Sequence, residues 1–448
     1  MTPRNLSHRL PLRLAGALCL ALGANGANAG TPRGHTLVVE NCDDSGPGSL
    51  RETYAAAIDG DIVDLSGLQC SRITLTTGML VSAPDAGYVT LQGDRYRVLT
   101  LDGNRNGRVI VHAGARLGVR DLAVTGGLAS DIYGGGCIYS TGDVTLLEAT
   151  VSGCEVSTLG DTAKGGGIRA INGVFLGRSR VIDNLAHAED ADAEGAGIHA
   201  HYVIASSQNT IAGNSARSDG THLARGGGVF TTYLHIEQTT LSGNEADNGA
   251  GLYLSYLGSN LTSRLVNTTI SGNHATGTAG GVFGQRSLHL YNSTVAGNTA
   301  VFDVGAGIYM MVGALGLDST IVANNSGDDG ASAADLAGYV YTVVSGAHNL
   351  VIASTLVLPA DTLDDDPLLE PLADNGGGVQ THALRAGSPA IDAGSDPLML
   401  NVDERGFLCL PDGQCVLAER EVGLAADIGA FESGSPDHIF ADGFEPET

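Results

Sequence analysis

Seven residues recur at matching places in a repeated unit and carry most of the chemistry on offer: Tyr139, Arg169, His199, Phe230, Tyr253, Phe283 and Tyr309. Each directly follows an aliphatic residue that opens a short β-rich run. Strand alternation therefore sends the aliphatic inward and its neighbour outward. Stacked, the seven make a row of aromatic and cationic groups along one face. Such a row suits contact with a sugar or another flat partner, because Tyr and Arg are favoured in contact patches. Mutual support between same-face aromatics is the plainer use of the same pattern.

Other reactive types are present without converging spacing. His199 and His201 stand at i and i+2, a two-ligand arrangement with no third ligand in reach of the pattern. Acids gather after each repeat's turn: Glu155 and Asp161, then Glu189, Asp190, Asp192 and Glu194, then Asp219, Glu245, Asp247 and Asp303. They form an acidic edge in loops of unequal length, without the fixed spacing of a calcium loop. Solubility explains them, so calcium is the only cofactor weighed and none is assigned, nor any metal site. No nucleophile-elbow context accompanies a Ser, His and Asp set. Catalytic residues are accordingly expected to be none.

These residues are positioned by a repeat that spans 134 to 324. Each copy opens on a Gly-rich step, as at Gly166-Gly167-Ile168 or Ala250-Gly251-Leu252, and closes on a small polar turn. The turns end at Cys154, Asn184, Asn214, Asn244, Asn273, Asn298 and Asn324, at steps of 30, 30, 30, 29, 25 and 26 residues. Periods of this length mark a solenoid. Two or three strands per unit are too short for helical repeats or propeller blades. The expectation is an all-β, right-handed parallel β-helix of roughly 10–12 coils over 73–360, with inward aliphatic rows and stacked Asn side chains. Asn184, Asn214, Asn244, Asn273, Asn298 and Asn324 form that ladder, which Cys154 interrupts.

Before the coils, Arg4, Arg9 and Arg13 precede the apolar run Leu14–Leu22 and the small-residue pattern Ala27-Asn28-Ala29, a secretory signal peptide over 1–29. Residues 30–72 form an N-terminal cap. There Ser49 and Glu52 make a capping box for a short helix from Leu50 to Ile58 that covers the first open edge. Losing the leader's three arginines takes the net charge from -26 to -29. So acidic a surface repels phosphate backbones and anionic lipid, which excludes nucleic acid as a partner. No span of the mature chain crosses a membrane, and a glycan or a surface protein is the expected partner. Six cysteines remain, an even number suited to an oxidising compartment. Cys42 with Cys70 and Cys409 with Cys415 are the local pairings, and Cys137 with Cys154 pair within one repeat.

Two stretches carry resemblances. Asp44-Ser45-Gly46-Pro47-Gly48-Ser49-Leu50-Arg51 resembles an N-terminal signature of secreted bacterial β-helix proteins, which implies the capping role. Beyond an acidic turn at 361–367 stand Asn375-Gly376-Gly377, Thr381-His382-Ala383-Leu384, Gly387-Ser388-Pro389-Ala390-Ile391-Asp392-Ala393-Gly394, Asp403-Glu404-Arg405-Gly406 and Asp427-Ile428-Gly429-Ala430-Phe431-Glu432. Together they resemble the choice-of-anchor Q module found behind bacterial right-handed β-helices of the pectin-lyase-like fold. That resemblance places a module at 361–433 and an exposed tail at 434–448. It implies a secreted or cell-surface protein, with His382 and Asp392 in packing roles, while the last piece, Asp437-His438-Ile439-Phe440-Ala441-Asp442-Gly443-Phe444-Glu445, resembles a short tail on exported proteins of some Gram-negative bacteria. The function expected is adhesin-like and non-catalytic. A polysaccharide lyase or glycoside hydrolase on the same fold is the alternative.

Overall fold

A computed structural model describes residues 34–256, 261–302, 304–327, 334–409 and 415–434. The leader and the C-terminal tail lie outside the described residues, as does Asp303. The chain is a right-handed parallel β-helix of about 11 turns with, among the described residues, a single helix. One coil shows how it is made. Ile138–Ser140 lies in the first sheet, and Asp143–Leu147 and Thr150–Ser152 lie in a long sheet. Glu155–Leu159 and Ala163–Lys164 then fold a narrow flange. Five short strands stand where two or three were expected, because strands of two to five residues leave little alternation to read.

Registration repeats the same residue type rung after rung. Ile138, Ile168, Ile198, Val229, Leu252, Val282, Ile308 and Leu336 pair in sequence along the first sheet. In the long sheet Val151, Val181, Ile211, Leu241, Ile270, Val295 and Val322 do the same. All are buried. The flange holds a separate core of alanines, among them Ala186, Ala188, Ala193, Ala216 and Ala224. Val156 is the one larger side chain in that core. From the coil of Glu245–Asn248 onward one strand does the work of both flange strands, pairing Ser215 with Glu245 and Arg225 with Asn248.

The Asn ladder runs along the buried turn between the long sheet and the flange. Asn184 Nδ2 donates to Asn214 Oδ1 at 2.9 Å, Asn214 to Asn244 at 2.9 Å, and Asn244 to Asn273 at 2.9 Å. Asn273 and Asn298 continue it at 2.8 Å each. The next rung is Asn325, which corrects the expectation of Asn324, and Asp335 Oδ1 accepts the last bond at 2.9 Å. The residue before each ladder Asn takes a left-handed conformation: Gly213, Gly243, Gly272 and Gly297, but Asp183 and Asn324 at φ 56° and 59°. Asn324 fills that glycine slot and is exposed. The left-handed conformation therefore belongs to the neighbour, and the ladder Asn supplies the amide.

Each ladder Asn faces a glycine of its own coil. A Cβ on Gly167 would stand 3.0 Å from the Asn184 amide, and one on Gly251 3.1 Å from that of Asn273. In the first coil of the series both partners change together: Cys137 occupies the glycine place, Cys154 the Asn place, and they are disulfide-bonded. Cys154 still joins the ladder through its N–H, which donates to Asn184 Oδ1 at 3.1 Å. The double exchange Cys137→Gly/Cys154→Asn is therefore expected to fold, with a melting temperature within about 3 °C of the parent. Cys154→Asn alone should fold less well, since its amide would press on the Cys137 side chain. Thermal scans of the two variants decide this.

At the N-terminal end, helix α1 (Leu50–Ala56) is capped by Ser49, whose hydroxyl accepts the Glu52 N–H. Leu50 and Tyr54 are buried on the coil interior, where the Tyr54 hydroxyl meets His112 Nδ1 at 2.9 Å. Cys42 and Cys70 form a second disulfide beside it. Cys409 and Cys415 face each other in the backbone register of a hairpin, and their side chains lie outside the described residues.

The C-terminal segment packs onto the long sheet. His382 Nε2 meets Ser271 Oγ at 2.8 Å, Ala430 N–H donates to Thr294 Oγ1, and Gln238 donates to the Asp403 carbonyl. Asp392 accepts from Leu424 and Ala425 N–H groups and stabilises a turn. Beneath lie Asp403, Glu404, Arg405, Arg420, Asp427 and Glu432, all essentially without solvent exposure.

Candidate functional site

The expected outer row is assembled in register: Tyr139, Arg169, His199, Phe230, Tyr253, Phe283 and Tyr309 on successive strands of the first sheet. Its rings stack on one another. Phe230 and Tyr253 lie 5.3 Å apart with planes 4° from parallel, and Tyr253 and Phe283 lie 4.9 Å apart at 2°. His199 stacks on Phe230 at 4.8 Å. Both faces of Tyr253 are thus filled by neighbours, and Tyr253, Phe283 and His199 keep only 6 %, 9 % and 8 % of their surface. A sugar that needs a ring face finds edges here instead. The row's geometry serves the plainer purpose, strand-to-strand support worth about 0.5–1.5 kcal/mol per pair.

At the other end of the row the cations are engaged. Arg169 donates to His199 Nδ1, which leaves His199 Nε2 to donate to Glu194 at 3.2 Å. Burial first, and then the Arg169 charge, holds the imidazole down to about 4, so His199 is neutral at neutral pH. Glu194 also meets Arg225 at 3.3 Å, and Arg225 meets Asp192 at 2.7 Å. His201 lies in the turn beyond, bonded to Thr232, and does not converge with His199. The acidic edge is partly neutralised, by Arg105 on Glu155 and Arg217 on Glu245. Among the described residues no three His, Cys, Asp or Glu side chains gather as for a metal ion.

The outer face of the long sheet is built differently. Tyr88, Arg116, Asp143, Gly173, Tyr202 and Tyr233 follow one another in register along it. Gly173 pairs with Asp143 through its N–H, at 3.1 Å to Oδ1. Asp143 anchors the group. It takes Arg116 Nη2 at 2.9 Å and the Tyr202 hydroxyl at 2.7 Å. Arg116 lies over the rings of Phe175 at 5.0 Å and Tyr88 at 5.8 Å. Phe175 and Tyr202 meet edge to face at 5.7 Å and 75°. Gly173 lets the Tyr202 ring lie flat on the backbone, since any Cβ there would sit 1.9 Å from the ring. Burial and Asp143 together push the Tyr202 hydroxyl up to about 12, so it stays a donor. Phe175, Tyr202 and Tyr233 are half-buried, and Tyr88 is 42 % exposed. The rings are splayed around Arg116 rather than stacked into a column.

Further along the same face His235, Arg264 and His289 occupy one register position on consecutive strands. His235 Nε2 meets Glu237 Oε1 at 2.7 Å, and His289 Nε2 meets Asp318 Oδ2 at 2.6 Å. The His289 ring stacks on Tyr291 at 3.9 Å. Neither group follows from the Gly-step pattern on which the outer row was read. Counting back five residues from Thr240, Thr269 and Thr294 finds His235, Arg264 and His289, so the column was legible once the repeats were aligned on their third strand.

No protein-family model matches the chain, and neither does any curated protein or solved structure. Among the described residues no helix is long and apolar enough to cross a membrane. The likeness of the C-terminal segment to an anchor module rests on its motif residues alone.

Proposed function

We propose that this chain is a non-catalytic, adhesin-like rod that works outside the cytoplasm and holds an extended ligand, a glycan chain, along the outer face of its long sheet. The observation that carries the reading is the part-exposed group Tyr88, Phe175 and Tyr202 around the Arg116–Asp143 pair, with Tyr233 next in register to Tyr202. Aromatic surface with a fixed donor and acceptor beside it is what a sugar ring needs: apolar C–H faces against the rings, hydroxyls toward the charged pair. The Cys42–Cys70 and Cys137–Cys154 disulfides support the oxidising compartment that the leader implies.

Removing Phe175 and Tyr202 together, as F175A/Y202A, is expected to weaken glycan retention at least about tenfold, as loss of two contact aromatics should. The melting temperature should fall only slightly. A glycan array probed with both proteins reads this out, and equal binding by the two would sink the assignment.

The alternative, a polysaccharide lyase or glycoside hydrolase, draws on Glu237, Asp318 and their histidines. Glu237 and Asp318 stand three strands apart, about 14 Å at the usual strand spacing. That exceeds the roughly 6.5–9.5 Å of an inverting carboxylate pair. Each is also committed to its own imidazole.

A further inference from the structure

Arg264 is exposed on the outer face of the long sheet, with His235 on the strand before it and His289 on the strand after. Adjacent strands stand about 4.8 Å apart, so the guanidinium stands between two imidazole-bearing strands, with the His289 ring laid over Gly316 on the strand beyond. Among the described residues Arg264 makes no ion pair. The carboxylates nearby are spent elsewhere. Glu237 accepts from His235 Nε2 along its own strand, and Asp318 accepts from His289 Nε2 on the strand beyond. Each imidazole is thereby held with Nε2 turned to a carboxylate.

Most described guanidiniums in this chain, whose net charge is -26 with 49 acids to 23 bases, hold carboxylates, and Arg264 shares with Arg180 an exposed place and no ion pair among the described residues. Arg105, Arg108, Arg116, Arg178, Arg217 and Arg225 all hold carboxylates. We infer that His235, Arg264 and His289 form a subsite for an anionic group, a carboxylate or a sulfate ester, carried by the bound glycan. Arg264 supplies the charge and a planar pair of N–H donors. His235 and His289 border the guanidinium on the strands to either side. The subsite continues the aromatic group along the same sheet and so rests on the binding role proposed above for that face.

Three polymers of one backbone test it: dextran, carboxymethyl-dextran and dextran sulfate, each titrated against the full chain. Because the rest of the rod is acidic, it repels both polyanions, and any preference for them must arise locally. At least one charged dextran is expected to bind about tenfold more tightly than dextran, an advantage of the size a charge-assisted contact provides. Arg264→Gln should abolish that advantage, and Arg264→Lys should restore part of it. Equal affinity for all three polymers overturns the subsite, as does no measurable binding of either charged one. So does a preference that survives Arg264→Gln. F175A/Y202A separates the two ideas: if it leaves binding intact while Arg264→Gln removes the charge preference, the aromatic face fails and the anion subsite stands.

Discussion

Asn244→Ala is expected to destabilise the rod by about 4 kcal/mol, the sum of a few orphaned buried polar groups at about 1–3 kcal/mol each. Asn244 Oδ1 accepts both the backbone N–H and the side-chain amide of Asn214, at 3.0 and 2.9 Å. Its Nδ2 donates to the Ile211 carbonyl at 3.0 Å and to Asn273 Oδ1 at 2.9 Å. Alanine leaves the Asn214 backbone N–H and one of its amide hydrogens without partners and takes one bond from the Ile211 carbonyl, all in a fully buried setting. Because coils hold one another only through neighbours, a break in the middle of the ladder should also split the unfolding transition. Asn324→Gly is the matched control. Asn324 occupies a left-handed position outside the ladder, so glycine should leave stability unchanged or raise it slightly. Denaturant titration of the two variants checks the pair; similar losses in both would mean that the ladder has been placed one residue out.

The second large effect concerns pH and the joint between the C-terminal segment and the coils. Four carboxyls and two guanidiniums are buried there: Asp403, Glu404, Asp427 and Glu432 with Arg405 and Arg420. Arg405 takes Asp403 through Nε at 2.8 Å and Nη2 at 2.6 Å, so Asp403 is the ionised partner although burial pushes its carboxyl up. Burial raises Glu404 well above its ordinary range and Glu432 to about 8. With those two protonated the cluster is neutral. Glu404 sits among polar groups of the rod, taking the Thr269 N–H at 3.1 Å and the Thr240 hydroxyl at 3.3 Å.

The sign follows from linkage. The folded chain keeps protons on these groups that the unfolded chain releases above its ordinary 4.5. Their contribution is complete below that value and is lost as pH rises through about 8. Stability should therefore fall from about pH 5 to about pH 8, by about 3 °C or more in melting temperature. Glu404→Gln and Glu432→Gln should each flatten that slope. A melting temperature that holds level or rises over this range would contradict the protonated assignment.

How much of this was readable in the residues varies with distance along the chain. The inward aliphatics, the glycine steps and the period sit within one repeat, and they specify the coil. The Cys137–Cys154 exchange for a Gly–Asn pair is equally local. At Asn324-Asn325 two identical side chains compete for two adjacent roles, and only the backbone conformation separates them. The aromatic row was placed correctly in register, but strand alternation gives direction without ring orientation, and orientation closed its faces. The Tyr88–Tyr233 group draws each member from a different coil, with Gly173 as the least conspicuous residue and the one that lets Tyr202 lie down. The Glu404 contacts join positions 164 and 135 residues apart. No periodicity carries that information; it comes from the C-terminal segment folding back over the sheet.

A second inward ladder was missed for a related reason. Ser179, Asn209, Thr239, Thr268, Ser293, Thr320 and Asn349 follow a left-handed residue at the bend within the long sheet and link neighbouring coils, as in Ser179 N–H to Asn209 Oδ1 at 3.0 Å and Thr320 N–H to Asn349 Oδ1 at 3.0 Å. Its members change identity from rung to rung. Small polar residues of mixed type read as an ordinary turn, whereas a column of one residue type declares itself.

The claim that the outer face of the long sheet binds a glycan without cleaving it is tested most directly by incubating the chain with a panel of polysaccharides. Both retention and polymer length are followed by size-exclusion chromatography. The account predicts that at least one polymer is retained at unchanged length, and that retention is lost in F175A/Y202A. Shortening of any polymer by the parent chain, or retention that the double substitution leaves intact, would contradict it.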